Sequence, residues 1–135
     1  MSTRTASEGE ERPIEGRADL AAPMQAGEKA PERWRIGTEH EKLVFRKDDH
    51  RAPSYDEPGG IRDILMAMQR FGWVPVEEGG PGNAKVIAMS GPDGAISLEP
   101  AGQLELSGAP LENLHQTCAE TGRHLQQCKE VGEEY

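Results

Sequence analysis

Much of what commonly organises or localises a small protein is scarce in this sequence. It has two cysteines, Cys118 and Cys128, so no disulfide framework can staple it. If the last segment is helical, the ten residues between them span about 15 Å, beyond the roughly 7 Å Cα limit for bridging. Two thiols of this kind predict a reducing cytosol, with both half-buried. Aromatic residues number only six, two each of Trp, Tyr and Phe. No apolar run exceeds the five residues from Ile64 to Met68, far short of the roughly 20 that span a bilayer. The N-terminus lacks the apolar core of a signal peptide, and Glu8, Glu10, Glu11 and Glu15 argue against an organelle transit peptide. These absences predict a cytoplasmic protein. Positive charge is also short: 15 Lys and Arg stand against 24 Asp and Glu, for a net charge of -9. Nucleic acid and anionic membranes would repel such a chain, so neither is an expected partner.

Large aliphatic residues are few as well. Leu, Ile, Val and Phe number 22 in 135 residues, and only Ile14 and Leu20 of these precede residue 34. A share below about 20% approaches the composition of disordered chains, and the deficit is concentrated in the tail. Residues 1–16 read as a disordered tail, and 17–135 as a single folded region with a thin core.

What is present is patterned. Residues 17–26 predict a short helix, with Leu20 and Met24 four apart. Trp34–Phe45 predicts a strand. After Pro58-Gly59-Gly60, the spacing of Ile61, Ile64, Leu65, Met68 and Phe71 predicts an amphipathic helix capped by Gly72. Residues 73–85 are rich in turn formers. A hairpin is expected from Val86–Met89 through Pro92-Asp93-Gly94 to Ala95–Glu99, followed by a strand over Gln103–Ser107. A last helix opens at Pro110 with Leu111, Leu114, Cys118, Leu125 and Cys128 as its buried stripe. The order α–β–α–β–β–β–α predicts an α+β fold with an antiparallel sheet.

Two segments carry acids where strands are expected. In Arg35-Ile36-Gly37-Thr38-Glu39-His40-Glu41-Lys42, a two-residue period puts Glu39 and Glu41 on one face with Arg35 alongside. Like charges so close are costly to keep ionised unless a cation sits between them, and Mg2+ is a usual remedy. An exposed edge strand with ordinary charges accounts for the same pattern. In Ser97–Gly108, a strand running through would put Glu99, Gln103, Glu105 and Ser107 on one face and Leu98, Leu104 and Leu106 on the other. Pro100 implies a bulge or an edge there. Two strands with acids in register favour a metal-and-substrate floor. His40 falls on the opposite face of its strand and reads as packing or surface. His50 sits in a turn, and His115 and His124 share no ligand face.

Three stretches, Trp34–Phe45 (WRIGTEHEKLVF), Ile96–Pro110 (ISLEPAGQLELSGAP) and Leu111–Leu125 (LENLHQTCAETGRHL), closely resemble the N-terminal part of glutamate–cysteine ligases of plants and many proteobacteria. The likeness covers roughly Pro13 to Gly132. It implies a glutamine-synthetase-like fold with a curved antiparallel sheet. It also implies an enzyme that uses ATP and Mg2+ to phosphorylate the γ-carboxylate of glutamate. The amine of cysteine then displaces phosphate, giving γ-glutamylcysteine, the first intermediate of glutathione synthesis. By the same resemblance Glu39, Glu41 and Glu105 would be metal ligands and catalytic residues. Glu99 and Gln103 would line the glutamate and metal pocket, and Arg35 would face anionic substrate. The chain departs from the family with Ala101 where Gly is usual, with Leu43 and Val44 where aromatic or Gly residues are usual, and with a short insertion at Pro81–Lys85. Family members are several times longer, so 17–135 reads as an incomplete N-terminal part of the catalytic domain, weakly active or inactive alone. The remainder would lie in the same or a separate chain. Cys118 falls in a segment resembling the plant branch, where redox regulation occurs, yet with no partner in reach it reads as a buried thiol. One rival is a non-enzymatic module that binds a divalent cation or a partner protein. A glycosidase with paired carboxylates is another, disfavoured by the shortage of aromatics that stack on sugars.

Overall fold

The computed structural model describes residues 13–92 and 94–135, so the expected tail falls mostly outside them, as does Asp93 of the hairpin turn. The chain divides into two compact units, one ending at Trp34 and the other spanning Arg35–Tyr135. In the first unit, helix α1 (Arg17–Ala26) forms where its spacing predicts and buries no residue. Its start is held by Asp19, whose carboxylate accepts the backbone N–H of Glu15 and Gly16.

The second unit is a five-stranded antiparallel sheet with helices on one face, the α+β arrangement expected. Its elements are β1 (Glu39–Lys42), α2 (Ile61–Ala67), β2 (Val74–Glu78), β3 (Lys85–Gly91), β4 (Gly94–Glu99), β5 (Gln103–Gly108) and α3 (Leu114–Glu134). The strand order is β1-β5-β4-β3-β2. A 3-10 turn over Met68–Phe71 prolongs α2, and Gly72 closes it in the left-handed region at φ 91.

The strand expected over Trp34–Phe45 contracts to four residues. A 3-10 turn occupies Pro31–Arg33, and before β1 Ile36 pairs with Leu111 while the Thr38 carbonyl accepts the Gly108 N–H at 2.7 Å. Beyond Lys42 the chain leaves the sheet for a long loop. Arg46 and Arg51 both clasp Glu57 there, at 2.9 and 3.2 Å. Hydrogen bonds from these two guanidinium groups, Arg51's first, hold the Glu57 carboxyl down at about 2.

Strand β2 was not expected. Pro75 lies within it and glycines follow it, which reads as loop. Pro75 is accommodated because β2 is an edge strand, where a missing N–H costs no ladder bond.

The core lies between the sheet and the helices. Ile61, Ile64, Leu65 and Met68 pack with Met89, Ile96, Leu104, Leu106 and Val131. Trp73 closes one side, its indole N–H donating to Gln127 at 3.0 Å. A Cβ on Gly91 would lie 2.6 Å from the Trp73 ring, so only glycine lets the ring seat on β3.

Helix α3 differs most from expectation. It starts at Leu114, capped by the Asn113 side chain, which accepts the Gln116 N–H at 3.1 Å. Its buried residues are Thr117, Glu120, His124 and Val131, with Cys128 half-buried, while Leu114 and Leu125 are exposed. Cys118, expected to be buried, is exposed. The stripe 117, 120, 124, 128, 131 has helical spacing, but four of its five side chains carry a polar or thiol group that masks it.

Candidate functional site

Strand β5 brings the acidic segments together. It pairs with β1 so that Glu41 stands directly opposite Glu105 and Glu39 opposite Ser107. On its other side β4 sets Ser97 opposite Glu105 and Glu99 opposite Gln103. Directly opposed residues share a face, so Glu39, Glu41, Glu99, Gln103, Glu105, Ser97 and Ser107 all lie on the side away from the helices. The strand does not run through 97–108 as expected: Pro100–Gly102 form a turn and the chain reverses. The face assignment survives because the hairpin register replaces the alternation of a single strand. Further along, Ala88, Ser90 and Ala95 continue the same face with small side chains, as far as Val74 and Val76 on β2.

Within this floor each facing carboxylate has a neutral donor from β5. The Ser107 hydroxyl donates to Glu105 at 2.7 Å, and the Gln103 amide donates to Glu41. Glu105 is only 4% exposed, whereas Glu39 and Glu41 are open to solvent. Beside Glu105, the Ser97 hydroxyl oxygen is buried without a hydrogen-bond partner. Arg35 forms an ion pair with Glu112 at 3.3 Å.

The oxygen donors of this floor could hold a divalent cation. They are carboxylate and hydroxyl oxygens, the hard ligands Mg2+ prefers, and an orphaned buried hydroxyl marks an unsatisfied place next to Glu105. Among the described residues no three His, Cys, Asp or Glu side chains are gathered closely enough to hold a metal ion unaided. A pair of carboxylates suffices for Mg2+ where substrate oxygens and water complete its shell.

The reverse of β1 is different. His40 and Lys42 point toward α3, and the Lys42 ammonium donates to the His40 carbonyl at 2.7 Å. Opposite them, His124 Nε2 lies 3.4 Å from Cys128 Sγ. Burial, then the Lys42 and His40 charges, lowers His124 to about 4. Burial also raises the Cys128 thiol and lowers Lys42, so this side favours neutral groups. His40 has the packing role its alternation predicts.

One buried acid escaped the sequence reading. Glu120 on α3 is 3% exposed and accepts from the Ala109 N–H at 2.8 Å and the Thr38 hydroxyl at 3.1 Å. It joins the helix to the ends of both strands that bear the carboxylate pair.

Residues 35–135 match the model of Glutamate-cysteine ligase family 2 (GCS2). The chain belongs to this family. It is 52% identical over 117 residues to glutamate–cysteine ligase A, chloroplastic, of Oryza sativa subsp. japonica, covering 86% of this chain and 22% of that protein. Over 119 residues it is 50% identical to the chloroplastic glutamate–cysteine ligase of Brassica juncea and 48% identical to that of Arabidopsis thaliana, covering 87% of this chain and 22% of each relative. The chain thus spans about a fifth of the length of these curated relatives. Their names correct the expected cytoplasmic location, since all three are chloroplastic. That expectation rested on the acidity of a few N-terminal residues and on two unpaired thiols, neither of which specifies a compartment. Among the described residues no helix is long and apolar enough to cross a membrane.

Proposed function

We propose that this chain forms part of an ATP-dependent ligase that joins the γ-carboxylate of glutamate to the amine of cysteine, giving γ-glutamylcysteine in the first step of glutathione synthesis. The observation that carries the reading is the register of β1 on β5, which sets Glu41 against Glu105 in a glutamate–cysteine ligase family segment. Activation by ATP passes through γ-glutamyl phosphate, whose formation brings the glutamate carboxylate against the anionic phosphates. Glu41 and Glu105, with Glu39 next along the face, would hold Mg2+, which would supply the positive charge that lets these anions approach. Protein carboxylates alone would repel both substrates, and Mg2+ held there would reverse the local sign. Glu99 and Gln103, at the hairpin end of the floor, line the glutamate pocket. Arg35, paired with Glu112, stands near the other end and faces anionic substrate.

The sheet is the beginning of a glutamine-synthetase-like curved floor, and residues 17–135 are an incomplete N-terminal part of the catalytic domain.

A chimera tests the proposal. Residues 35–135 replace the matching segment of the rice ligase, and phosphate release from MgATP is followed with glutamate and cysteine, together and singly. Release requiring both amino acids, and falling at least 100-fold in Glu41→Gln and Glu105→Gln, is the expected result. Unchanged rates in both variants would remove the carboxylate pair from the mechanism. The isolated 135-residue chain is expected to show no release above background.

A further inference from the structure

Glu105 lies between two serines that no role has yet been assigned. Ser107 is two residues along the same strand, and its hydroxyl donates to the carboxylate at 2.7 Å, an ordinary length for an O–H···O bond. Ser97 is directly across the β4–β5 ladder, and its hydroxyl oxygen is buried with no partner. A buried hydroxyl without a partner is costly and persists where something else satisfies it. Ser97 shares its row with Glu105 and Glu41, the two carboxylates on which the cation reading rests.

We propose that Ser107 and Ser97 are positioning residues for a hydrated divalent cation on the Glu41–Glu105 pair, Ser107 fixing the Glu105 carboxylate and Ser97 hydrogen-bonding a water of the cation's shell. The inference rests on the cation reading of the preceding section and adds the residues that orient it. Glu105 stands opposite another carboxylate, and a side chain left to itself would turn from the repulsion. A hydroxyl on its own strand can hold it in place without adding charge. Mg2+ gives up its waters reluctantly, so a hydroxyl in the floor meets the ion through water rather than displacing it. Loss of such outer partners lowers metal affinity by about 10–100-fold.

Mn2+ is the probe, titrated into the purified 135-residue chain and followed by the electron paramagnetic resonance of the free ion. Glu105→Gln and Glu41→Gln are expected to abolish saturable Mn2+ binding. Ser107→Ala and Ser97→Ala are each expected to weaken it about 10-fold, with Ser107→Thr restoring near-native affinity because it keeps the hydroxyl. Circular dichroism and a thermal melt on each variant show that it is folded, and Ser107→Thr separates loss of the hydroxyl from loss of packing. If both alanine variants bind Mn2+ as the unaltered chain does while Glu105→Gln does not, the serine roles are overturned and the carboxylate pair stands. If Glu105→Gln and Glu41→Gln bind normally, or the unaltered chain binds no Mn2+, the cation reading falls and the serine roles fall with it.

Discussion

Glu120 accepts the backbone N–H of Ala109 at 2.8 Å, so a buried carboxylate on α3 caps the exit of the strand that carries Glu105. Its other oxygen takes the Thr38 hydroxyl just before β1, and Gly108 leaves the space it needs: a Cβ there would lie 2.2 Å from Oε2. Replacing Glu120 by Ala strands an amide and a hydroxyl, each worth about 1–3 kcal/mol when buried without a partner. Urea unfolding of Glu120→Ala is expected to show a loss of about 2–4 kcal/mol, with Glu120→Gln losing less because it keeps one acceptor.

Ala101 sits at φ 65, in the left-handed region that disfavours any side chain. Ala101→Gly relieves strain of roughly 1 kcal/mol in the β4–β5 turn, partly offset by the greater freedom of glycine in the unfolded chain. A rise in melting temperature of a few degrees is expected, and a fall would show the turn to be unstrained.

His124 makes stability depend on pH. Its value is about 4 in the folded chain against 6.5 ordinarily, so between these limits the unfolded chain takes a proton that the folded one refuses. The contribution is intact above pH 6.5 and is lost progressively as pH falls toward 4. At pH 5 the penalty is about 2 kcal/mol. Urea unfolding at pH 7.5 and pH 5.0 measures it: His124→Gln should lose about that much less than the unaltered chain over the interval. Equal losses would show that His124 is protonated in the folded state.

The buried face of α3 is testable against the stripe its leucines suggest. Leu125 is 46% exposed and Val131 1%. Leu125→Gln is expected to change stability by less than about 0.5 kcal/mol, and Val131→Ala to cost about 1–3 kcal/mol through the cavity it leaves. Equal chemical denaturation midpoints for the two variants would contradict the placement.

Sequence alone revealed the parts of this molecule whose pattern is local. The spacing of Ile61, Ile64, Leu65 and Met68 marks α2, and the alternation about Leu104 and Leu106 marks β5, because each pattern follows one element's own period. The acidic face was legible for the same reason, since a strand's pleat assigns Glu39 and Glu41 to one side without any knowledge of neighbours. What depends on other strands was not. Pro75 hid β2 because a proline is acceptable only at an edge, and strand order is not written locally. Glu120 and His124 look like surface residues until the ends of β1 and β5 are in place to meet them. Ser97 carries no chemical signal by itself, and its meaning comes from standing across from Glu105.

Strand β5 has neighbours on both sides, with Leu104 and Leu106 buried in the core on one face and Glu105 on the other. Its central amides therefore sit where opening to solvent requires disrupting the sheet as a whole, and their hydrogen exchange will follow global unfolding rather than local fraying. The carboxylate pair is consequently asymmetric: Glu105 is anchored to an interior strand paired on both sides, while Glu41 rides on a four-residue edge strand. One jaw is fixed, and whatever adjustment the floor makes to a ligand belongs to the other.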